Sequence, residues 1–191
     1  MSKQAKTLNE RELRRVLDHM ATRKHAARNR AMLLVTYLAG LRVGETAALR
    51  YGDVVGPDGT VLPEIQLTPD QTKGGQSRTV FVSQRLRAEL AQYIQTLRDP
   101  KPQHRLFGTQ KRGVAGFTAN TLTQHFHHLY RAAGLVGASS HSGRRTFITT
   151  LASKGVSVRV LQSLSGHRCL ASTQCYIDVN DDMKRKAVEL V

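Results

Sequence analysis

Tyr176 stands nine residues after His167 in the stretch GHRCLASTQCYID, among small polar residues and two cysteines. A buried phenol needs a hydrogen-bond partner, whereas an exposed one needs no fixed spacing from a histidine. Upstream, HSGRRTFITTL (141–151) sets Phe147, Ile148 and Leu151 at helical spacing, with Arg144 three, four and seven residues before them. Arg144 therefore shares their apolar face, while Arg145 points elsewhere, as a solvated arginine would. A charge on a buried face has to be paired, yet no Asp or Glu occurs between Asp99 and Asp178. His141 lies on the same side as Arg144, and a histidine beside an arginine without a local acid suits a bound phosphate. The alternatives are that Arg144 snorkels or pairs with a distant carboxylate such as Glu45 or Asp53. In GLRVGETAAL (40–49) Arg42 follows a helix-stopping glycine and precedes Glu45 by three, the spacing of an ion pair at a helix start. In DQTKGGQSRTV (70–80) Lys73 and Arg78 flank Gly-Gly, so Lys73 projects from a hairpin, where a solvated turn lysine is the plainer reading.

Other reactive-looking clusters have ordinary explanations. HFHH (125–128) has the His-x-His spacing of some metal-dependent nucleases, but Leu122, Phe126, Leu129 and Tyr130 make the segment helical. Residues two apart on a helix point about 200° apart, so His125 and His127 do not share one metal. Cys169 and Cys175 lack a second ligand pair at zinc spacing. The serines of ASSHSGR have no acid nearby to complete a triad.

The elements that must position these residues are mostly helices. Thr7-Leu-Asn-Glu10 reads as a capping box opening a helix to about Met20. Helices are expected over His25–Ala39, Val43–Arg50, Gln84–Leu97, Thr118–Ala133, Gly143–Ser153 and Val158–Leu164, with Gly40, Gly155 and Gly166 as stops. Between the third and fourth, the short apolar runs Val61–Leu67 and Thr79–Val82, with their Gly-rich turns, predict a small antiparallel sheet. The fold class is mainly α with a small antiparallel β-sheet (α+β), in one domain of 191 residues. A last amphipathic segment is expected over Asp181–Leu190.

The charge names the class of partner. Twenty-nine Lys and Arg against 14 Asp and Glu give a formal net charge of +15. From Pro100 to Ile177 there are ten Lys or Arg, six of the eight histidines and no acid. A surface that is merely soluble mixes both signs, so a one-signed stretch implies a polyanion. The absence of Trp, with five Phe and five Tyr, argues against stacking platforms for single strands and favours duplex backbone. No apolar run approaches the ~20 residues of a membrane span, no signal-peptide core follows the N-terminus, and two cysteines suit a reducing cytosol. A soluble cytoplasmic, nucleoid-associated protein is expected. Duplex affinity should fall steeply with salt, with log K against log salt sloping about −0.9 per phosphate contacted. A flat dependence in a filter-binding series would contradict this.

The ordered set GLRxxE, hairpin lysine, HxxR, and GH with a tyrosine nine later resembles the catalytic domain of tyrosine recombinases, the phage integrase family. The likeness runs from LNERELRRVL to the tyrosine. The stretch HAARNRAMLLVTYLAGLRVGETAALR looks closest to short recombinases that invert fimbrial promoters. The resemblance implies site-specific recombination (integration, excision or inversion) through a 3′-phosphotyrosyl intermediate. It assigns Arg42, Lys73, His141, Arg144 and His167 to the catalytic set, Tyr176 as nucleophile and Glu45 as a supporting acid. Arg78, Lys111, Arg112, Arg145 and Arg168 are expected DNA contacts. Arginines in place of a metal make neither metal nor nucleotide cofactor necessary. The partners implied are double-stranded DNA, further copies of the chain (a tetramer in synapsis, with the tail docking in trans) and an accessory DNA-bending protein. Gly143, where many members carry Leu, is expected to loosen packing, and Ser165 replaces a frequent Leu. The N-terminal DNA-clamping domain of most members is expected to be absent. A non-catalytic DNA-binding regulator would share the charge without needing Lys73 and Tyr176, and a type IB topoisomerase-like enzyme would use the same residues without a partner site.

Overall fold

The computed structural model describes residues 4–109, 116–177, 184, 185, 188 and 189. The tail segment expected over Asp181–Leu190 therefore lies largely outside the described residues.

Chain entry is fixed by a capping box, two residues later than the sequence spacing of Thr7 and Glu10 suggested. Asn9 Oδ1 accepts from Glu12 N at 2.9 Å, and Glu12 Oε2 accepts from Asn9 N at 3.1 Å, opening α1 (Glu10–Ala21). Both registers fit the pattern, and the Leu8 amide is instead taken by Thr146 Oγ1 at 2.8 Å, which pins the chain to a later helix. Next, α2 (Ala26–Leu38) is buried continuously from Ala31 to Thr36 and forms the centre of the core. The helix expected over Val43–Arg50 is α3 (Val43–Ala48), and a separate one-turn helix not foreseen in the sequence, α4 (Tyr51–Val54), follows it, because Leu49 leaves the helical region and Arg50 is extended and bridges to Arg105.

The sheet is a two-stranded hairpin, β1 (Glu64–Leu67) against β2 (Arg78–Phe81), in the register Ile65↔Val80 and Leu67↔Arg78. Ile65, Leu67 and Val80 face the core, while Glu64 and Phe81 face out, the period-2 alternation of a half-buried sheet. The Lys73 turn sits at its tip, after a 3-10 turn at Pro69–Gln71. Helices α5 (Gln84–Ile94), α6 (Ala119–Ala132), α7 (Ser142–Ser153), α8 (Val158–Ser165) and the unforeseen one-turn α9 (Ala171–Gln174) complete the described chain. Among the described residues, no helix is long and apolar enough to cross a membrane.

Gly143 tightens the packing, contrary to the loosening expected of a glycine there. A Cβ at Gly143 would overlap the Thr36 hydroxyl and lie 3.1 Å from Thr36 Cβ, so the missing side chain is what lets α7 approach α2. Gly143→Ala should destabilise by about 1–3 kcal/mol through overpacking, lowering Tm by roughly 2–12 °C for a chain of 191 residues. A thermal melt within a degree of the parent would show that α7 has room to spare.

Candidate active site

The site is organised around the end of α8. A helix leaves its last carbonyls without intrahelical partners and carries partial negative charge there. Three successive carbonyls at this end each accept from a different arginine. Leu164 O takes Arg78 Nη1 at 3.0 Å, Ser165 O takes Arg144 Nη2 at 2.6 Å, and Gly166 O takes Arg42 Nη2 at 2.7 Å. The chain then turns through Gly166 in the left-handed region (φ 60°, ψ 43°), and His167 N returns to the Gln162 carbonyl at 3.1 Å. Gly166 is needed twice over. A side chain would be strained at that φ, and its Cβ would stand 2.6 Å from Arg78 Cδ.

Glu45 supplies the full negative charge. It is 1% exposed. Oε1 accepts from Arg42 Nη1 at 2.7 Å and Oε2 from Arg78 Nη2 at 2.7 Å, while the Arg42 backbone N–H adds a third hold at 2.8 Å. Burial pushes the Glu45 carboxyl up, but the hydrogen bond and charge of Arg78, then those of Arg42, bring it below its usual range. Glu45 thus stays ionised at neutral pH and orients two arginines at once.

Arg144 is 4% exposed. Neither snorkelling nor pairing with Glu45 or Asp53 accounts for it. Its guanidinium donates to the carbonyls of Gly40 (2.5 Å) and Ser165, and lies 2.9 Å from His167 Nε2. Burial, then the charge of Arg42, lowers its pKa to about 9, which still leaves it protonated at neutral pH. A guanidinium has donors only, so His167 Nε2 accepts and Nδ1 carries the proton, donating to Thr173 Oγ1 at 3.0 Å. Burial, then the charges of Arg144, Arg42 and Arg78, brings His167 down to about 4, so the ring is neutral in this setting.

Tyr176 follows α9 and is half-buried. Its ring stacks on His167 with centroids 5.6 Å apart and planes at 24°. His141 opens α7, and burial followed by the charges of Arg144 and Lys73 lowers its pKa. Exposed Lys73 lines a cavity of about 780 Å³ together with Arg42, Arg78, His167 and Arg168. The residues singled out from the sequence as a phosphate-handling set thus fall in one cluster.

The expected DNA contacts are placed differently. Arg78 was expected beside Lys73 as a phosphate clamp, but its side chain is only 9% exposed and is engaged by Glu45 and Leu164. Losing a phosphate clamp costs little stability, whereas removing Arg78 strips a buried carboxylate of a partner, a loss of about 3–5 kcal/mol. Arg168 donates to the Gly74 carbonyl and ties the hairpin tip to the α8–α9 turn. A Cβ at Gly74 would lie 3.1 Å from Arg168 Nη2, so the lysine hairpin accepts this arginine flat against its backbone. Arg145 lies against Tyr176. Lys111 and Arg112 lie outside the described residues.

Sequence reasoning missed Thr173, which is fully buried and accepts the Nδ1 proton of His167. Nothing in STQCY distinguishes it from its polar neighbours. It also missed the backbone carbonyls of 164–166, which carry no side-chain signal at all. In HFHH, His125 lies on Asn29 Oδ1 at 3.0 Å and is lowered to about 4 by burial and then the Arg28 charge, while His127 is exposed.

Comparison with known proteins places the chain and its fold. The chain is 28% identical over 184 residues to the tyrosine recombinase XerA of Pyrococcus furiosus, covering 96% of this chain and 61% of that protein. It is 30% identical over 185 residues to XerA of Thermococcus kodakarensis, covering 96% and 62%. It thus spans about three fifths of the length of these relatives. The fold matches a crystal structure of XerA recombinase with a TM-score of 0.76 at 24% identity, covering all of this chain and 66% of the other. It also matches XerH site-specific recombinase bound to a palindromic difH substrate, in a post-cleavage complex, with a TM-score of 0.71 at 22% identity, covering 98% of this chain and 53% of the other. The phage integrase family model matches residues 6–183, and with nearly the whole chain aligned on this fold, the chain belongs to the phage integrase family.

Proposed function

We propose that this chain cleaves and rejoins duplex DNA as the catalytic part of a site-specific recombinase, with Tyr176 as nucleophile. The observation that carries the reading is the three-arginine cradle on the end of α8, held beside a tyrosine by Glu45 and His167. The Tyr176 oxygen attacks phosphorus, a P–O bond forms to the 3′ side, and the bond to the 5′ oxygen breaks. Rejoining reverses this with the 5′-hydroxyl of another strand, so the bond energy is conserved in the ester. Arg144 has five N–H groups, and the three contacts described leave two for non-bridging phosphate oxygens. Together with Arg42 it stabilises charge developing at phosphorus. Lys73, on the exposed hairpin, protonates the leaving 5′ oxygen as general acid. His141 assists in holding the phosphate and moving protons, and His167, with both ring nitrogens engaged by Arg144 and Thr173, steadies Arg144 and the Tyr176 ring.

On this reading four copies act on two sites in the cytoplasm, on the nucleoid, with an accessory DNA-bending protein where the site requires one. Promoter inversion is the first outcome to test, because of the resemblance carried by residues 25–50. Lys73→Ala should slow strand cleavage by about 10²–10⁴-fold with little change in duplex affinity. A substrate with a bridging 5′-phosphorothiolate, whose sulfur leaves without protonation, should restore the rate. Failure of that rescue would make Lys73 a DNA-positioning residue only. Cleavage that needs no second site would favour a topoisomerase-like activity.

A further inference from the structure

Arg145 takes no part in the chemistry described so far. One position after Arg144 on α7, its side chain leaves the helix about 100° round from the buried face, where an arginine is ordinarily solvated or meets a phosphate. Instead its guanidinium carbon lies 5.2 Å from the centroid of the Tyr176 ring, inside the roughly 6 Å reach of a cation–π contact. The same ring stacks on His167, which is itself tied by Arg144 and Thr173.

Tyr176 depends on such contacts because its own element cannot hold it. It follows α9, a helix of four residues, far too short to be ordered without outside support. Its ring is steadied by side chains from α7 and from the turn after α8. Arg144 and Arg145 are neighbours in sequence, so one helix would set both the phosphate cradle and the attitude of the attacking group.

We propose that Arg145 is a positioning residue for the nucleophile, a guanidinium lying on the Tyr176 ring that holds it against the arginine cradle, rather than a DNA contact. The proposal rests on the reading of Tyr176 as nucleophile only for its catalytic consequence. The contact itself belongs to the DNA-free protein. A planar guanidinium stacks on an aromatic face better than an ammonium does, so lysine should substitute only in part.

The test uses the full chain with Arg145, Arg145→Lys or Arg145→Ala. With 3-fluorotyrosine at position 176, the fluorine resonance of the DNA-free protein should move toward that of free fluorotyrosine in Arg145→Ala, and part of the way in Arg145→Lys. Single-turnover adduct formation on a nicked duplex at saturating DNA should fall about tenfold in Arg145→Ala and less in Arg145→Lys. DNA affinity and its salt slope should stay as in the parent. An unmoved fluorine resonance would overturn the contact. A parental adduct rate with a salt slope shallower by about 0.9 would overturn the positioning role and make Arg145 a phosphate ligand. Tyr176→Phe, run alongside, separates the two claims. Adduct persisting in that variant removes the nucleophile reading and leaves the fluorine signal to decide the contact. Adduct lost there but normal in Arg145→Ala sinks the present inference alone.

Discussion

Tyr176→Phe is expected to bind duplex DNA like the parent while covalent adduct formation falls by at least on the order of 10⁴-fold, since nothing else supplies the attacking oxygen. The selectivity follows from what the ring does in the structure. Stacking on His167 and contact with Arg145 both use the face of the ring, which phenylalanine keeps. Only the hydroxyl is removed, so folding and the arginine cradle should be undisturbed. A denaturing gel of protein trapped on a nicked site, beside a mobility-shift titration, reads both quantities. Adduct at parental yield would mean that another side chain attacks the phosphate.

Arg144→Lys should cost about 10²–10³-fold in cleavage at saturating DNA. Lysine keeps the charge but loses the fork. A single ammonium cannot span the carbonyls of Gly40 and Ser165 while also reaching His167 Nε2, as the guanidinium does. Without that donor the His167 ring loses the contact that sets its tautomer. Arg144→Ala should in addition lower stability, because two buried carbonyls lose their donor, at about 1–3 kcal/mol each. Single-turnover cleavage and urea melts measure the two effects separately. Cleavage by Arg144→Lys within fivefold of the parent would show that charge alone suffices.

The parts of this molecule legible in the sequence are those with period or punctuation. Arg144 could be placed on a buried face because Phe147, Ile148 and Leu151 define that face, and Lys73 could be placed on a hairpin because Gly-Gly separates two apolar runs. Boundaries set by tertiary contact were not legible. The break between α3 and α4 depends on Arg50 meeting Arg105 far along the chain, and α9 has no apolar pattern to announce it. Partner choice was the least legible. Arg42 and Glu45 could be paired at i,i+3 spacing, but the second arginine on Glu45 comes from β2, 33 residues away. Gly143 was read from its missing volume as loose packing, whereas the structure uses the same missing volume for a closer helix crossing.

The three arginines on the end of α8 also share a fate. Arg42, Arg78 and Arg144 arrive from the α2–α3 loop, a strand and a helix, yet each is anchored on the same turn of backbone, from Leu164 to Gly166. Side chains held by one common support do not fail independently. In double-mutant cycles, Arg78→Ala and Arg144→Ala, which share the turn but not Glu45, should therefore show a coupling energy of about 0.5–3 kcal/mol. A second substitution would do little further harm once the first has freed the turn. A lesion in the turn itself, such as Gly166→Ala, should resemble the combined loss more than either arginine alone. The site would then behave as a unit that is assembled or not, and graded tuning of its activity would have to come from residues outside that turn.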